Sequence, residues 1–227
     1  MLGQNYEVEI KSLLGDKEYA DKLLEKMKKR DPNLKIISLH KQLNHYFVGG
    51  DLRKLTASVG CFMKKGDHAK FEDLAKRARD FSLRTRLADG RVVLVVKASV
   101  DDTTSANGTA RVEFEAETPD LALEKLDELV LKAGFSYQAK WSRERSLYKF
   151  LFANVSIDKN AGYGYLAEFE VMENDPVKLE VTKARLRKLM DELGVGELNQ
   201  ERLERMFAYY NAHWPEYYGT DKVFVIE

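Results

Sequence analysis

Charged residues recur in this sequence at a spacing of two. Glu7, Glu9 and Lys11 alternate with Tyr6, Val8 and Ile10. Arg84 is followed by Arg86, Arg111 by Glu113 and Glu115, Arg143 by Arg145, and Glu168 by Glu170. Alternate side chains of a β-strand share a face, so each set projects to one side while Val8, Ile10, Val112, Phe114 and Phe169 project to the other. On any one strand such a face reads as solvated. Repetition of Arg-x-Arg and Glu-x-Glu, with little Ser, Thr or Gln between, points to chemistry instead. Guanidinium and ammonium groups offer several fixed donors to phosphate oxygens. Carboxylates hold hard divalent cations that bridge to phosphate. A surface with both signs suits a polyphosphate–metal complex, the division of labour used in phosphoryl transfer. Lys97, which ends the aliphatic run Val92–Val96, requires an anion of its own.

The elements that must position these groups alternate between strands and helices. After the first strand, Asp16 caps a helix through about Arg30, with Ala20, Leu23, Leu24 and Met27 on one face. Residues 34–48 read as extended and 51–79 as one or two short helices. Strands near 81–88 and 91–99 are joined at Ala88-Asp89-Gly90, a hairpin signal. A polar loop is expected over Asp101–Gly108, then a strand over 109–117. A helix follows, opened by Thr118-Pro119 and closed at Gly134. Strands are expected at 135–145, 147–157 and 165–172, with a helix from Asp175-Pro176 to Gly194. A last helix over 199–212 and a terminal strand at Val223–Ile226 complete the chain. The units built on Val112-Glu113-Phe114-Glu115 and Ala167-Glu168-Phe169-Glu170 echo each other, each an acidic strand leading into a helix that begins at Pro and ends at Gly. With helices on the apolar faces and charges on the others, the expected fold is α+β: a closed eight-stranded antiparallel tunnel with a charged lumen, in a single domain over 1–227. Its core would span about 5–195, with a helix and aromatic tail at 199–227.

Composition excludes other classes. Lys+Arg and Asp+Glu both number 37 in 227 residues, which argues against a nucleic-acid polymer or a membrane surface as partner. Neither a membrane-length apolar run nor a basic leader followed by an apolar stretch is present, and the single cysteine, Cys61, fits a reducing cytoplasm. His40, His45, His68 and His213 lack the spacing of zinc ligands.

Taken in order, these motifs resemble the CYTH, or triphosphate tunnel metalloenzyme, superfamily, which includes class IV adenylate cyclases and thiamine, inorganic and RNA triphosphatases. Glu7, Glu9 and Lys11 match its Glu-x-Glu-x-Lys signature, and Tyr46-Phe47 its Tyr-Phe strand end. Arg84/Arg86, Lys97, Arg111/Glu113/Glu115, Arg143/Arg145 before Tyr148, and Asp158, Gly164 and Glu168/Glu170 follow in sequence. Three features depart from the pattern: Val48-Gly49-Gly50-Asp51 stands where many members have an aspartate directly after Tyr-Phe, the segment 56–80 is long, and the aromatic tail from Asn199 has no counterpart. The resemblance implies triphosphate binding by Lys11, Arg84, Arg86, Lys97, Arg111, Arg143 and Arg145. It implies Mg²⁺ or Mn²⁺ at Glu7, Glu9, Asp158, Glu168 and Glu170, with Glu113, Glu115 and Tyr148 behind them. Lys11 would assist as catalytic base.

Three functions fit: a metal-dependent triphosphatase acting on inorganic or organic triphosphate, a cyclase making cyclic AMP from ATP, and a non-catalytic polyphosphate or nucleotide sensor. Five carboxylates exceed what a sensor needs, and nothing marks an adenine pocket, so the triphosphatase is favoured. A monomer or homodimer with a small-molecule substrate is expected.

Overall fold

A computed structural model describes residues 6–105 and 108–226, with side chains outside 100–111. The alternation at the N-terminus becomes strand β1 (Tyr6–Gly15), with Val8 and Ile10 buried. Asp16 then accepts a hydrogen bond from the Tyr19 N–H and caps α1 (Lys17–Arg30), which buries Ala20, Leu23 and Met27. β2 (Lys35–Gly49) leads to α2 (Leu52–Val59), a short 3₁₀ turn and α3 (Lys65–Arg77). The hairpin of β3 (Asp80–Ala88) and β4 (Arg91–Ser105) turns at Asp89 and Gly90, both with positive φ. β5 (Gly108–Glu117) and α4 (Leu123–Lys132) follow, then β6 (Phe135–Phe150), β7 (Ala153–Asn160) and β8 (Gly164–Glu173). α5 (Leu179–Leu193) ends at Gly194 in the left-handed conformation, and α6 (Gln200–Tyr217) runs through Pro215.

Several boundaries differ from those expected. β4 continues through Ser105 where a loop from Asp101 was expected, and residues 106–107 lie outside the described residues. The break expected near Ser146 is absent, because β6 is one strand of 16 residues and its turn falls at Leu151-Phe152, with Leu151 at φ 51°. Neither residue is a turn former, so periodicity alone misplaces that hairpin. Pro119 sits in a turn before α4 rather than opening it. The terminal strand reduces to a single bridge between Gly162 and Val223.

The eight strands form one sheet in the order β1-β8-β7-β6-β2-β3-β4-β5, which is not closed into a barrel. This corrects the expected closed tunnel. An antiparallel sheet can leave one face to water, and here Lys11, Arg84, Arg86, Lys97 and Arg145 each have an acidic partner on another strand. Closure is therefore not required to accommodate them.

By internal contacts the chain divides into two units, residues Met1–Lys41 with Ser142–Glu227, and residues Gln42–Trp141. In the first, α1 and α5 pack Leu23, Met27, Leu186 and Met190 against Ile10, Phe150, Val155 and Phe169. Gly164, at φ 74°, closes against β1 so tightly that a Cβ would lie 2.0 Å from the Gly15 carbonyl oxygen. The Leu198 N–H donates to the Lys11 carbonyl at 2.7 Å, placing the α5–α6 link on β1. The aromatic tail packs in the same unit: Tyr209, Tyr210 and Tyr217 gather around Phe224, whose N–H donates to the Gly162 carbonyl. In the second unit, α2, α3 and α4 supply Leu55, Phe71 and Leu126 to a core with Phe47, Leu83, Leu94 and Phe114.

Candidate functional site

In the first unit, strand register brings the charged positions onto one face of β1, β8, β7 and β6. Glu9 stands directly opposite Glu170, and Lys11 opposite Glu168. Across the next pair Ser156 faces Glu168, and beyond it Arg145 faces Asp158 and Arg143 faces Asn160. Arg145 grips Asp158 through two of its three guanidinium nitrogens: Nε donates to Oδ1 at 2.8 Å and Nη2 to Oδ2 at 2.6 Å. Its Nη2 also donates to Glu168, while Arg143 donates to Asp158 Oδ2 at 3.3 Å. Lys11 donates to Glu9 and lies 3.6 Å from Glu168.

Burial sets the electrostatics of this cluster. The Asp158 side chain is only 1% exposed and that of Arg145 22%. Burial alone would lower the Arg145 guanidinium, but the hydrogen bond and charge of Asp158, joined by Glu168, outweigh it and raise the group further. Burial likewise opposes ionisation of Glu168. The combined charges of Arg145, Lys11 and Arg143 prevail, and its carboxyl is held below the ordinary range. For Asp158 burial is the stronger influence and pushes the carboxyl up, against Arg145 and Arg143.

The second unit carries its own charged face on β2, β3, β4 and β5. Tyr46 pairs with Arg84 and Asn44 with Arg86 across β2–β3. Arg84 donates to the Tyr46 hydroxyl at 2.8 Å, and Arg86 Nε to Asn44 Oδ1 at 3.1 Å. Reaching over Val95 and Val93 of β4, Arg84 meets Glu113 at 3.7 Å and Arg86 meets Glu115 at 3.2 Å. Glu113 also answers the requirement of Lys97, at 3.4 Å. Among the described residues Arg84 Nε is buried without a hydrogen-bond partner. Arg111 lies opposite Ser99 on β5, and its side chain is outside the described residues.

Tyr148 does not join these groups. Its position on β6 has the opposite parity to Arg143 and Arg145, and it is buried with Phe150 and Val155. Three polar partners were missed in the sequence: Asn44 on Arg86, Ser156 on Glu168, and Asn160, whose amide donates to the Asp158 carbonyl. The signal was present as alternation, Asn154-x-Ser156-x-Asp158-x-Asn160, but uncharged residues at that spacing are common on solvated strands.

The face of the first unit fits a hard divalent cation by chemistry. All its acidic donors are oxygens, and register sets the carboxylates of Glu9 and Glu170 opposite each other on β1 and β8. Among the described residues no three His, Cys, Asp or Glu side chains converge closely enough to hold a metal. The reason is visible in the pairing, since Lys11 holds Glu9 while Arg145 holds Asp158 and Glu168. Asp158, with both oxygens engaged by Arg145, fits a ligand role least.

A family model, the CYTH domain, matches residues 5–203, and the chain belongs to the CYTH domain family. Members of this family are metal-dependent enzymes, triphosphatases or adenylate cyclases, usually with Mg²⁺ or Mn²⁺. Solved structures share the fold. A conserved hypothetical protein from Pyrococcus furiosus is 22% identical, with 86% of this chain and 93% of that chain covered and a TM-score of 0.56. A Pyrococcus horikoshii protein is 20% identical over 90% and 99% of the two chains, at 0.57. A candidate adenylate cyclase from Vibrio parahaemolyticus is 17% identical over 91% and 99%, also at 0.57. Among curated proteins none matches. No described helix is long and apolar enough to cross a membrane.

Proposed function

We propose that this protein hydrolyses a triphosphate, inorganic or organic, with a divalent metal ion. The observation that carries the reading is the face of β1, β8, β7 and β6. It combines a carboxylate pair that favours a cation, Glu9 opposite Glu170, with a cationic set that favours oxyanions, Lys11, Arg143 and Arg145. Carboxylates and cationic donors side by side on one face are the combination that a metal–polyphosphate complex uses, the carboxylates for the metal and the cations for the phosphate oxygens.

On this reading Arg143, Arg145 and Lys11 bind and orient phosphate oxygens in the first unit. Arg84, Arg86, Lys97 and Arg111 do so in the second. Asp158 fixes the plane of the Arg145 guanidinium, which is a binding geometry set before substrate arrives. Glu7, Glu9, Glu168 and Glu170 would hold the metal, which when bound neutralises phosphate charge and lowers the pKa of a water. Attack of water at the terminal phosphorus breaks the bridging P–O bond and releases orthophosphate and a diphosphate. Both partners of Lys11 are carboxylates, so it is assigned as a binding cation.

Phosphorus NMR of products formed from inorganic triphosphate and from ATP, with Mg²⁺ and with Mn²⁺, tests the reading. Orthophosphate release is expected. Pyrophosphate with cyclic AMP from ATP would replace it with the cyclase chemistry for which the Vibrio relative is a candidate, and tight binding without turnover would make the protein a sensor.

A further inference from the structure

A buried polar cluster lies behind the Arg84/Arg86 face, on the apolar side of the same strands. Its centre is Asp127, on the buried stripe of α4 with Leu126 and Val130. An aspartate within a helix is unfavourable locally, and burying it costs more unless donors surround it. Three do. His45 Nδ1 lies 2.6 Å from Oδ2, the Tyr137 hydroxyl donates to Oδ2 at 2.7 Å, and the Thr85 hydroxyl donates to Oδ1 at 2.6 Å. Asp127, His45 and Thr85 are each at most 3% exposed.

The placement of two of these donors gives the cluster its meaning. Thr85 separates Arg84 from Arg86 on β3. His45 separates Asn44 from Tyr46 on β2, and His45 and Thr85 are directly opposite each other. The four flanking side chains meet on the other face as the pairs Arg84–Tyr46 and Arg86–Asn44. One carboxylate thus grips both strands at the pair whose register fixes both arginine contacts. A one-residue slip would send the arginines to the apolar side. An apolar residue at 127 would pack the helix just as well without specifying that register, whereas a fully satisfied polar cluster enforces one arrangement.

We propose that Asp127 is a positioning residue for substrate binding, acting through Thr85 and His45 to hold Arg84 and Arg86 in place. The proposal rests on the triphosphate reading for its function but not for its geometry. The test compares Thr85→Val, which removes the hydroxyl at nearly constant shape, with Thr85→Ser, which keeps it. Two readouts are taken: calorimetric affinity for inorganic triphosphate, and the ¹⁵N-NMR signals of the Arg84 and Arg86 Nε–H groups, assigned with Arg84→Lys and Arg86→Lys. Thr85→Val should weaken triphosphate about tenfold, as loss of a supporting partner behind a ligand typically does, and speed Nε–H exchange of Arg86 with water by a similar factor. Thr85→Ser should restore both. Should Thr85→Val not fold, Asp127→Asn is read in the same way. A Thr85→Val protein that melts earlier but keeps the parent's affinity and Nε–H signals would overturn the proposal, because the cluster would then serve stability alone. If the parent binds no triphosphate, the functional reading falls by itself, and the Nε–H signals still decide the positioning role.

Discussion

Replacing Arg145 with methionine is the most searching perturbation of the first charged face. The substitution keeps the aliphatic stem but removes both donors that hold Asp158 and the one that holds Glu168, leaving Asp158 with Arg143 at 3.3 Å. With the Asp158 side chain 1% exposed, water cannot replace what is lost. Breaking a buried pair from one side costs about 3–5 kcal/mol, and the surviving arginine argues for about 3. For a chain of this length that corresponds to a fall of roughly 6–12 °C in melting temperature. Urea unfolding, followed by circular dichroism and by the fluorescence of Trp141 and Trp214, measures the loss directly. The deficit should also depend on pH. Burial already raises the Asp158 carboxyl, and removing Arg145 raises it further. The folded variant then favours the protonated acid more than the unfolded chain does, so its stability recovers as pH falls. The loss should therefore be largest near neutrality and smaller toward pH 5. Arg145→Met combined with Asp158→Leu should recover part of it, since the Asp158 carboxylate is no longer buried while Glu168, which loses Arg145, keeps Lys11 at 3.6 Å. A single variant within about 0.5 kcal/mol of the parent at neutral pH would refute the reasoning, because it would mean that Asp158 does not depend on its guanidinium.

Further substitutions separate the other roles. Glu9→Gln should abolish metal-dependent turnover with the melting temperature within a few degrees of the parent; an unchanged rate would end the metal assignment. Lys11→Arg keeps the cation, so a loss in kcat/KM of about tenfold or less is expected if Lys11 binds phosphate, and a loss of 10²-fold or more if it is a general base. Because the Glu168 carboxyl is held below its ordinary value of 4.5, its ion pairs stabilise the fold above that pH and are lost as pH falls below it. Glu168→Gln should therefore flatten the acid limb of the stability curve, which acid titration by circular dichroism would show. Gly164→Ala places a Cβ against the Gly15 carbonyl at positive φ and should cost at least about 2 kcal/mol in urea unfolding.

What the sequence revealed depended on how local the signal was. Asp16, Gly194 and the Asp89-Gly90 turn act within a few residues of themselves, and each element end they mark lies where expected. The Leu151-Phe152 turn carries no such signal, since its conformation is imposed by the pairing of β6 with β7. Alternation at Glu7–Lys11, Arg84/Arg86 and Glu168/Glu170 assigned faces to single strands. It could not say how the sheet ends, because alternation is identical in an open and a closed sheet. Closure follows only if helices on the apolar faces force the sheet to curl around its charges; Glu113 serving both Arg84 and Lys97 shows how cross-strand pairing accommodates them without it. Partnerships between distant residues, such as Asp127 with His45 and Thr85, left no trace at all. A helix aspartate and a strand histidine each look ordinary until register and packing bring them together.

The open sheet gives the charges of β1 a second consequence. Among the described residues β1 pairs only with β8, so it is an edge strand of the sheet, with its Lys11 carbonyl taken by the Leu198 N–H. An edge bearing Tyr6, Val8 and Ile10 would nucleate aggregation if its alternate positions were neutral, and charged side chains are the usual safeguard. Glu7, Glu9 and Lys11 thus act as gatekeepers of solubility as well as proposed ligands. A lineage that lost the activity would still be under pressure to keep them, so an intact Glu-x-Glu-x-Lys in a relative is not by itself a sign that the relative turns over substrate.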